Sequence, residues 1–257
     1  MAIHSSSTQA PNGSITGSPL DPVLFSLRGV GKRFGHRQVL KNLSFQVGRG
    51  EFLLLLGNNG AGKSTLMKML SSLMRPSQGE VCFQGVPFHV AGPRVRSAIG
   101  MISHDSRLYN DLTARENLKL FGALYGVKDL SARMDEALAR VRLDNVPDIP
   151  VNGFSSGMMK RLSLARLLLY NPQILLLDEP YSGLDQASIH LLDDYLEGFT
   201  RRGGTTVLIT HQFTKGVALC NRILILHQGA LSYNQRETGV NAARCAELLV
   251  RYAGETP

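Results

Sequence analysis

Between Gly57 and Thr65 the chain reads GNNGAGKST, which satisfies the pattern G-x-x-x-x-G-K-[ST]. Such a run can cradle phosphates. Gly57, Gly60 and Gly62 let the backbone wrap closely. Amide N–H groups along Gly57, Asn58, Asn59, Gly60, Ala61 and Gly62 can then point at phosphate oxygens. A helix starting behind the loop adds partial positive charge. Lys63 supplies a compact cation for the β- and γ-phosphates. Ser64 offers a hydroxyl to Mg²⁺, and Thr65 lies beside it.

A second run, Ile174 to Glu179, reads ILLLDE: an apolar strand ending in two acids. At the strand's C-terminal end, Asp178 is placed to hold Mg²⁺ directly or through water. Glu179 follows and can take a proton from an attacking water. Ser155, Ser156 and Gly157 open a further segment, SSGMMKRLSLARLLL. On its own, serine at such a point reads as a helix cap. Together these residues describe chemistry on a nucleoside triphosphate, with ATP and Mg²⁺ as the expected ligands.

The elements that must position them follow from periodicity and punctuation. Val23 to Val30, Val39 to Val47 and Glu51 to Leu56 read as strands, with Gly48 and Gly50 between the last two. A helix begins at Gly62 or Lys63 and runs to about Leu73, turning Leu66, Met67, Met69 and Leu70 inward. Val81 to Phe83 and Ile99 to Ile102 are further strands. Thr113 and Glu116 form a capping box, so a helix starts there. Helices over Leu130 to Val141 and Gly157 to Leu169 follow. Alternation then resumes: strands at Ile174 to Leu177, Thr206 to Thr210 and Ile223 to Leu226, and helices at Gln186 to Thr200, Phe213 to Leu219 and Val240 to Tyr252. Strands alternating with helices predict an α/β fold with a mainly parallel sheet. The all-helical middle, about 105–170, reads as an inserted subdomain.

Composition sets the bounds. The 257 residues, 43% apolar and 19% charged, are ample for a soluble globular core. No apolar run approaches the roughly 18 residues of a membrane helix. Residues 1–22 are rich in Ser, Thr, Gly and Pro, have no basic start or apolar stretch, and read as a disordered tail rather than a secretory signal. The net charge of +8 is spread along the chain without a basic block, so a nucleic-acid partner is not expected. Cys82, Cys220 and Cys245 form no metal or disulfide pattern and read as buried thiols.

With these motifs in order, the chain resembles the ATP-binding cassette (ABC) ATPases from about Val23 to Leu231. Phe154, Ser155, Ser156, Gly157 and Met158 stand where that family has its Leu-Ser-Gly-Gly-Gln signature, and Arg161 matches its downstream arginine. Ser182, Gly183, Leu184 and Asp185 match its D-loop. His211, in VLITHQ, matches its switch histidine, and Phe34, in KRFG, the aromatic that stacks on adenine. The resemblance implies a P-loop NTPase core with an N-terminal antiparallel β part and an inserted α-helical subdomain. It places an ATPase domain over 23–239 and a C-terminal helix and tail over 240–257. It also implies a head-to-tail, ATP-dependent dimer with a second copy of the chain. Ser155 and Gly157 of one copy would meet the γ-phosphate held by Lys63 of the other, with His211 on the Lys63 side. Ser156 and Met158 depart from the signature. No glutamine stands where the family's Q-loop has one, so His104 or Asp105 is expected to touch the metal or water instead.

The resemblance further implies integral-membrane permease subunits as partners and a peripheral place on the cytoplasmic face of the membrane. The docking surface would be the segment with Leu108, Tyr109 and Leu112, beside Phe121 and Tyr125. The form HDSRLYNDLTARENL and the phrase GFSSGMMKRLSLARLLL look like the ATPase subunit of haem exporters of cytochrome c maturation. Drug, lipid and polysaccharide exporters share a similar pattern. The reading is thus an ATP-hydrolysing transporter subunit, an exporter. A soluble ABC ATPase acting on nucleic acid is the alternative from another class.

Overall fold

The first two expected strands extend past their apolar stretches because they pair with each other. In the computed structural model, which describes residues 23–103, 107–170, 172–212 and 215–254, β1 (Val23–Phe34) and β2 (Arg37–Gly48) form an antiparallel hairpin. Its ladder carries Lys32 opposite Leu40 and Phe34 opposite Arg37, so that Lys32, Phe34 and Arg37 join it although periodicity left them out. β4 (Gln78–Phe83) pairs antiparallel with β1, and the two-residue β5 (Val86–Pro87) with β4. The order is β2-β1-β4-β5.

The second sheet has six strands. β3 (Phe52–Leu56), β6 (Ile99–Ile102), β7 (Ile174–Asp178), β8 (Thr205–Ile209) and β9 (Arg222–His227) run parallel, and β10 (Ala230–Arg236) pairs antiparallel with β9. The order is β10-β9-β3-β8-β7-β6. The expected α/β fold, with a mainly parallel sheet, an antiparallel β part and a helical part, is therefore present. β10 escaped the sequence reading because ALSYNQR has little apolar pattern; pairing with β9 defines it.

β3 shows why the sheet needs cover on both faces. All five of its residues are buried. Phe52, Leu54 and Leu56 belong to one buried cluster with apolar residues of the helical middle and of the later helices, while Leu53 and Leu55 belong to the other, with β1, β2 and the first helix. β7 divides the same way, Leu175 and Leu177 to one side, Ile174 and Leu176 to the other.

That first helix, α1 (Lys63–Leu70), stops three residues before its expected end. Ser72 takes φ +60°, and the amides of Leu73 and Met74 both turn back to the Lys68 carbonyl. Two short helices, α2 (Phe88–Ala91) and α3 (Pro93–Ala98), occupy a stretch the sequence left unassigned. In the helical middle, α4 (Ala114–Leu124) has the predicted capping box: the Glu116 amide donates to Thr113 Oγ1 at 3.1 Å, and the Thr113 amide to Glu116 Oε2 at 2.9 Å. α5 (Leu130–Arg140) and α6 (Ser156–Leu169) complete that layer, with a 3₁₀ turn at Val151–Gly153. α7 (Gln186–Arg201), α8 (Lys215–Ala218) and α9 (Ala242–Ala253) follow.

Cys82, Cys220 and Cys245 are buried and free, and burial raises the thiol pKa of each. Among the described residues no helix is long and apolar enough to cross a membrane. The expected tail 1–22, the start of the helix expected at Phe213, and His104 with Asp105 lie outside the described residues.

Candidate functional site

Three parallel strands deliver the chemistry to one edge of the sheet. β3, β8 and β7 are neighbours, and their C-terminal ends lead into the glycine loop, His211 and Asp178–Glu179 respectively. With strands spaced about 4.8 Å apart, the loop and the acidic pair stand on the order of 10 Å from each other, with β8 between.

The loop depends on its glycines for two distinct reasons. Gly57, Gly60 and Gly62 have φ of 140°, 80° and 105°, which side-chain-bearing residues avoid. Gly57 and Gly62 are also hemmed in. A Cβ at Gly57 would lie 2.2 Å from the Leu226 carbonyl oxygen, and one at Gly62 would lie 2.5 Å from Leu40 Cδ2. At Gly60 nothing lies within 4 Å, so only conformation demands glycine there. Gly62 ends the loop as the N-cap of α1 and has no side chain to engage the helix's first amides. Lys63 folds back over the loop. Its ammonium donates to the carbonyls of Gly57 and Asn58, the latter at 3.2 Å, and the residue is buried.

Lys63, Ser64 and Thr65 line one cavity of about 580 Å³ with Asn58, Asn59, Gly60 and Gly62. Asp178, Glu179 and His211 line its other side. Asp178 is buried and pairs across the ladder with Ile209. Glu179 continues that ladder by one bond, its amide donating to the Ile209 carbonyl at 2.9 Å, and then turns with φ +51°. The His211 amide donates to Glu179 Oε2 at 3.3 Å, and His211 Nε2 lies 3.5 Å from Glu179 Oε1. Glu179 Oε1 is buried and makes no hydrogen bond. A carboxylate oxygen without a hydrogen bond, in a cavity also lined by phosphate donors, is suited to accept a proton from water.

The donor set also fits Mg²⁺. No cluster of three or more His, Cys, Asp or Glu among the described residues could hold a metal alone. Ser64 and Asp178 offer oxygen ligands, and Mg²⁺ characteristically completes its shell with substrate phosphates and water.

Gly57 and Ala61 belong to the loop without lining the cavity, and Ser155, Gly157, Asp185 and Phe34 stand outside it. Ser155 is exposed at the N-cap of α6, where its Oγ accepts from the Met158 amide at 3.2 Å. Gly157 abuts the D-loop: a Cβ there would lie 3.1 Å from the Gly183 carbonyl oxygen. Asp185 caps α7, its Oδ1 accepting from the Ser188 amide at 2.8 Å, and hydrogen bonding to Ser188, its side chain first and its amide second, holds the Asp185 pKa below the usual carboxylate range. Phe34 sits at the end of the β1–β2 hairpin, 47% exposed, with Lys32 Nζ 5.2 Å from its ring centroid.

Two features were not legible beforehand. Arg37 lines the cavity from across the hairpin, opposite Phe34. Only its closeness to the KRFG aromatic could have signalled this. The Asn58 side chain turns away from the cradle, its Nδ2 donating to the Ala253 carbonyl at the end of α9 at 3.0 Å. Of the expected docking residues, Tyr109 is exposed, whereas Leu108 is partly buried against the core. Phe121 lies between Tyr109 and the Arg166 guanidinium, and Tyr125 stacks on Tyr170 with centroids 3.8 Å apart.

Comparison with known proteins agrees with this geometry. A family model described as ABC transporter matches residues 40–182. The Nod factor export ATP-binding protein I of Burkholderia lata is 38% identical over 216 residues, 82% of this chain and 69% of that protein. Its namesake in Rhizobium meliloti is 38% identical over 209 residues, 80% of this chain and 62% of that protein. This chain thus spans roughly two thirds of the length of such relatives. Among solved structures, an ATP binding subunit of an ABC transporter superposes with a TM-score of 0.79 at 27% identity, covering 88% of this chain and 99% of that one. The ATP-binding cassette MJ0796, as a dimer in a post-hydrolysis state bound to ADP and Pi, superposes with a TM-score of 0.75 at 27% identity, covering 84% of this chain and 100% of that one.

Proposed function

Because this chain belongs to the ABC transporter family, we propose that it hydrolyses ATP to energise export through separate membrane subunits. The observation that carries the catalytic reading is Glu179 Oε1, buried without a hydrogen bond, on a side chain that lines the same cavity as Lys63.

The loop amides and Lys63 hold the triphosphate and offset its charge. Ser64 and Asp178 hold Mg²⁺, which neutralises charge on the phosphate oxygens when bound. Glu179 takes a proton from water as the water oxygen bonds to the γ-phosphorus. The bond from that phosphorus to the bridging oxygen breaks, giving ADP and phosphate. His211, beside Glu179, steadies the γ-phosphate. Phe34 stacks on the adenine at the hairpin end.

Ser155 and Gly157 do not line their own chain's cavity. In our reading they complete the site of a second copy arranged head to tail, and Asp185 lies at that same junction through the D-loop. That MJ0796 is dimeric supports a second copy by likeness. Closure on ATP and reopening after hydrolysis would drive the membrane partner. Tyr109, 53% exposed, and Leu124, 68% exposed, are among the exposed apolar side chains of the helical middle that would dock on the membrane partner.

Haem as cargo finds no support, since the similar proteins reported above are Nod factor export proteins. We favour an export cargo of that kind over haem, selected by the membrane subunits rather than by this site.

Glu179→Gln tests the reading, because it keeps the shape of the side chain and removes the base. It should bind ATP, lose about 10²- to 10⁴-fold in hydrolysis, and elute as a dimer in ATP. Normal hydrolysis by this variant would remove Glu179 as the base. A variant that stays monomeric in ATP would remove the shared site.

A further inference from the structure

α6 begins at the exposed Ser155 cap, yet its next turn reaches into its own chain's catalytic turn. Lys160 lies five residues beyond Ser155, about 7.5 Å along the helix axis. Its ammonium donates to the Glu179 carbonyl at 3.0 Å and also to the Ser182 carbonyl. Both partners are main-chain oxygens at the two ends of the turn that follows the base.

That turn needs holding. Glu179 takes φ +51°, a conformation uncommon for a residue with a long side chain. The bond from the Ser182 amide back to the Glu179 carbonyl is long, at 3.4 Å. Tyr181 anchors the turn from beneath, buried with its hydroxyl donating to Asp193 at 2.7 Å. Lys160 clamps it from the α6 side. Desolvation lowers the pKa of the half-buried ammonium, and the charges of Glu179 and Asp178 oppose that shift. The Lys160 side chain thus lies near the acidic pair while its N–H groups go to the backbone. The direction of the Glu179 carboxylate follows from this backbone, so whatever fixes the turn fixes the base.

We propose that Lys160 is a positioning residue that locks the turn after Glu179 to α6. It thereby registers each chain's own base with the Ser155–Gly157 end that the same helix presents to its partner. The inference rests on the split site proposed above. It adds a covalently continuous link, a single helix, between the half-site a chain offers and the half-site it keeps.

The comparison uses Lys160→Met, which keeps the aliphatic stem without the donors, and Lys160→Arg, which keeps a charged donor. For Lys160→Met, kcat should fall about 10- to 100-fold, with the Kd for ATP and the Tm little changed. Lys160→Arg should recover part of the loss. A purely structural role would instead lower Tm and leave kcat of the folded fraction intact. In mixed dimers where one chain carries Glu179→Gln, a single base remains. Lys160→Met should suppress turnover when placed on the chain with the intact Glu179, and change it by no more than about twofold when placed on the other chain. Turnover by Lys160→Met within about twofold of the unsubstituted protein would overturn the proposal, as would parallel loss of ATP binding or equal effects on either chain of the mixed dimer. If Glu179→Gln fails to dimerise in ATP, the split site falls. The single-chain comparison of kcat, Kd and Tm still decides whether Lys160 positions the base.

Discussion

Replacing Gly57 by Ala should damage the phosphate loop far more than the same change at Gly60, although both are loop glycines with positive φ. At either position the new Cβ meets a left-handed backbone, which costs about 1–2 kcal/mol. Gly60 has open space around it, so its cost stops there. At Gly57 the Cβ would also lie 2.2 Å from the Leu226 carbonyl oxygen and 3.3 Å from Ala61 Cβ. Leu226 is fully buried in β9, which is paired with β3 through Leu56 and Ile225. A backbone oxygen in a central strand cannot swing aside as a side chain can. Relief requires a shift of the β3–β9 pair or of the loop, which adds about 1–3 kcal/mol by analogy with overpacked cores. The expected totals are about 2–5 kcal/mol for Gly57→Ala and about 1–2 kcal/mol for Gly60→Ala. For a domain of this size the Gly57 change lowers Tm by about 4–20 °C. Urea unfolding without nucleotide is the right assay, because it separates the folding cost from lost ligand binding. Equal losses at the two positions, or a Gly57→Ala protein within about 1 kcal/mol of the original, would refute the claim that close packing on Leu226 shapes the loop.

Two further outcomes are expected. Asn58→Ala removes the bond to the Ala253 carbonyl, at a cost of about 0.5–1.5 kcal/mol, and should speed amide hydrogen exchange at the end of α9 while ATP affinity changes little. Unchanged exchange in α9 would show that the tie is not a constraint. Thr113→Ala breaks the α4 capping box and should cost about 1 kcal/mol in urea unfolding near pH 7. Bonding to Thr113 lowers the Glu116 pKa in the folded state. The backbone share of that bonding survives in the variant, whereas the share owed to the Thr113 side chain is present above the ordinary glutamate range and is lost as pH falls through the folded value, so the gap between variant and parent should narrow slightly on acidification.

The sequence determined what is encoded locally. GNNGAGKST specifies a phosphate loop because its glycines, lysine and hydroxyl act within nine consecutive residues between a strand and a helix. The Asp178–Glu179 pair at the end of ILLLD, the Thr113–Glu116 box and the buried face of α1 are likewise functions of near neighbours. The full length of β1 and β2 was not readable, since Lys32 and Phe34 join the ladder only through partners in β2. The polar strand β10 was hidden for the same reason. Tertiary structure alone decided the site's composition. It set His211 beside Glu179 across two parallel strands, brought Arg37 into the cavity, turned Asn58 toward α9, and committed Asp185 to a helix cap. It also left Ser155 and Gly157 outside the cavity that Lys63 lines, while Lys160 of the same helix grips the turn after the base. These placements depend on strand order and helix docking, which join residues up to nearly two hundred positions apart, and no local pattern of residue types carries that information.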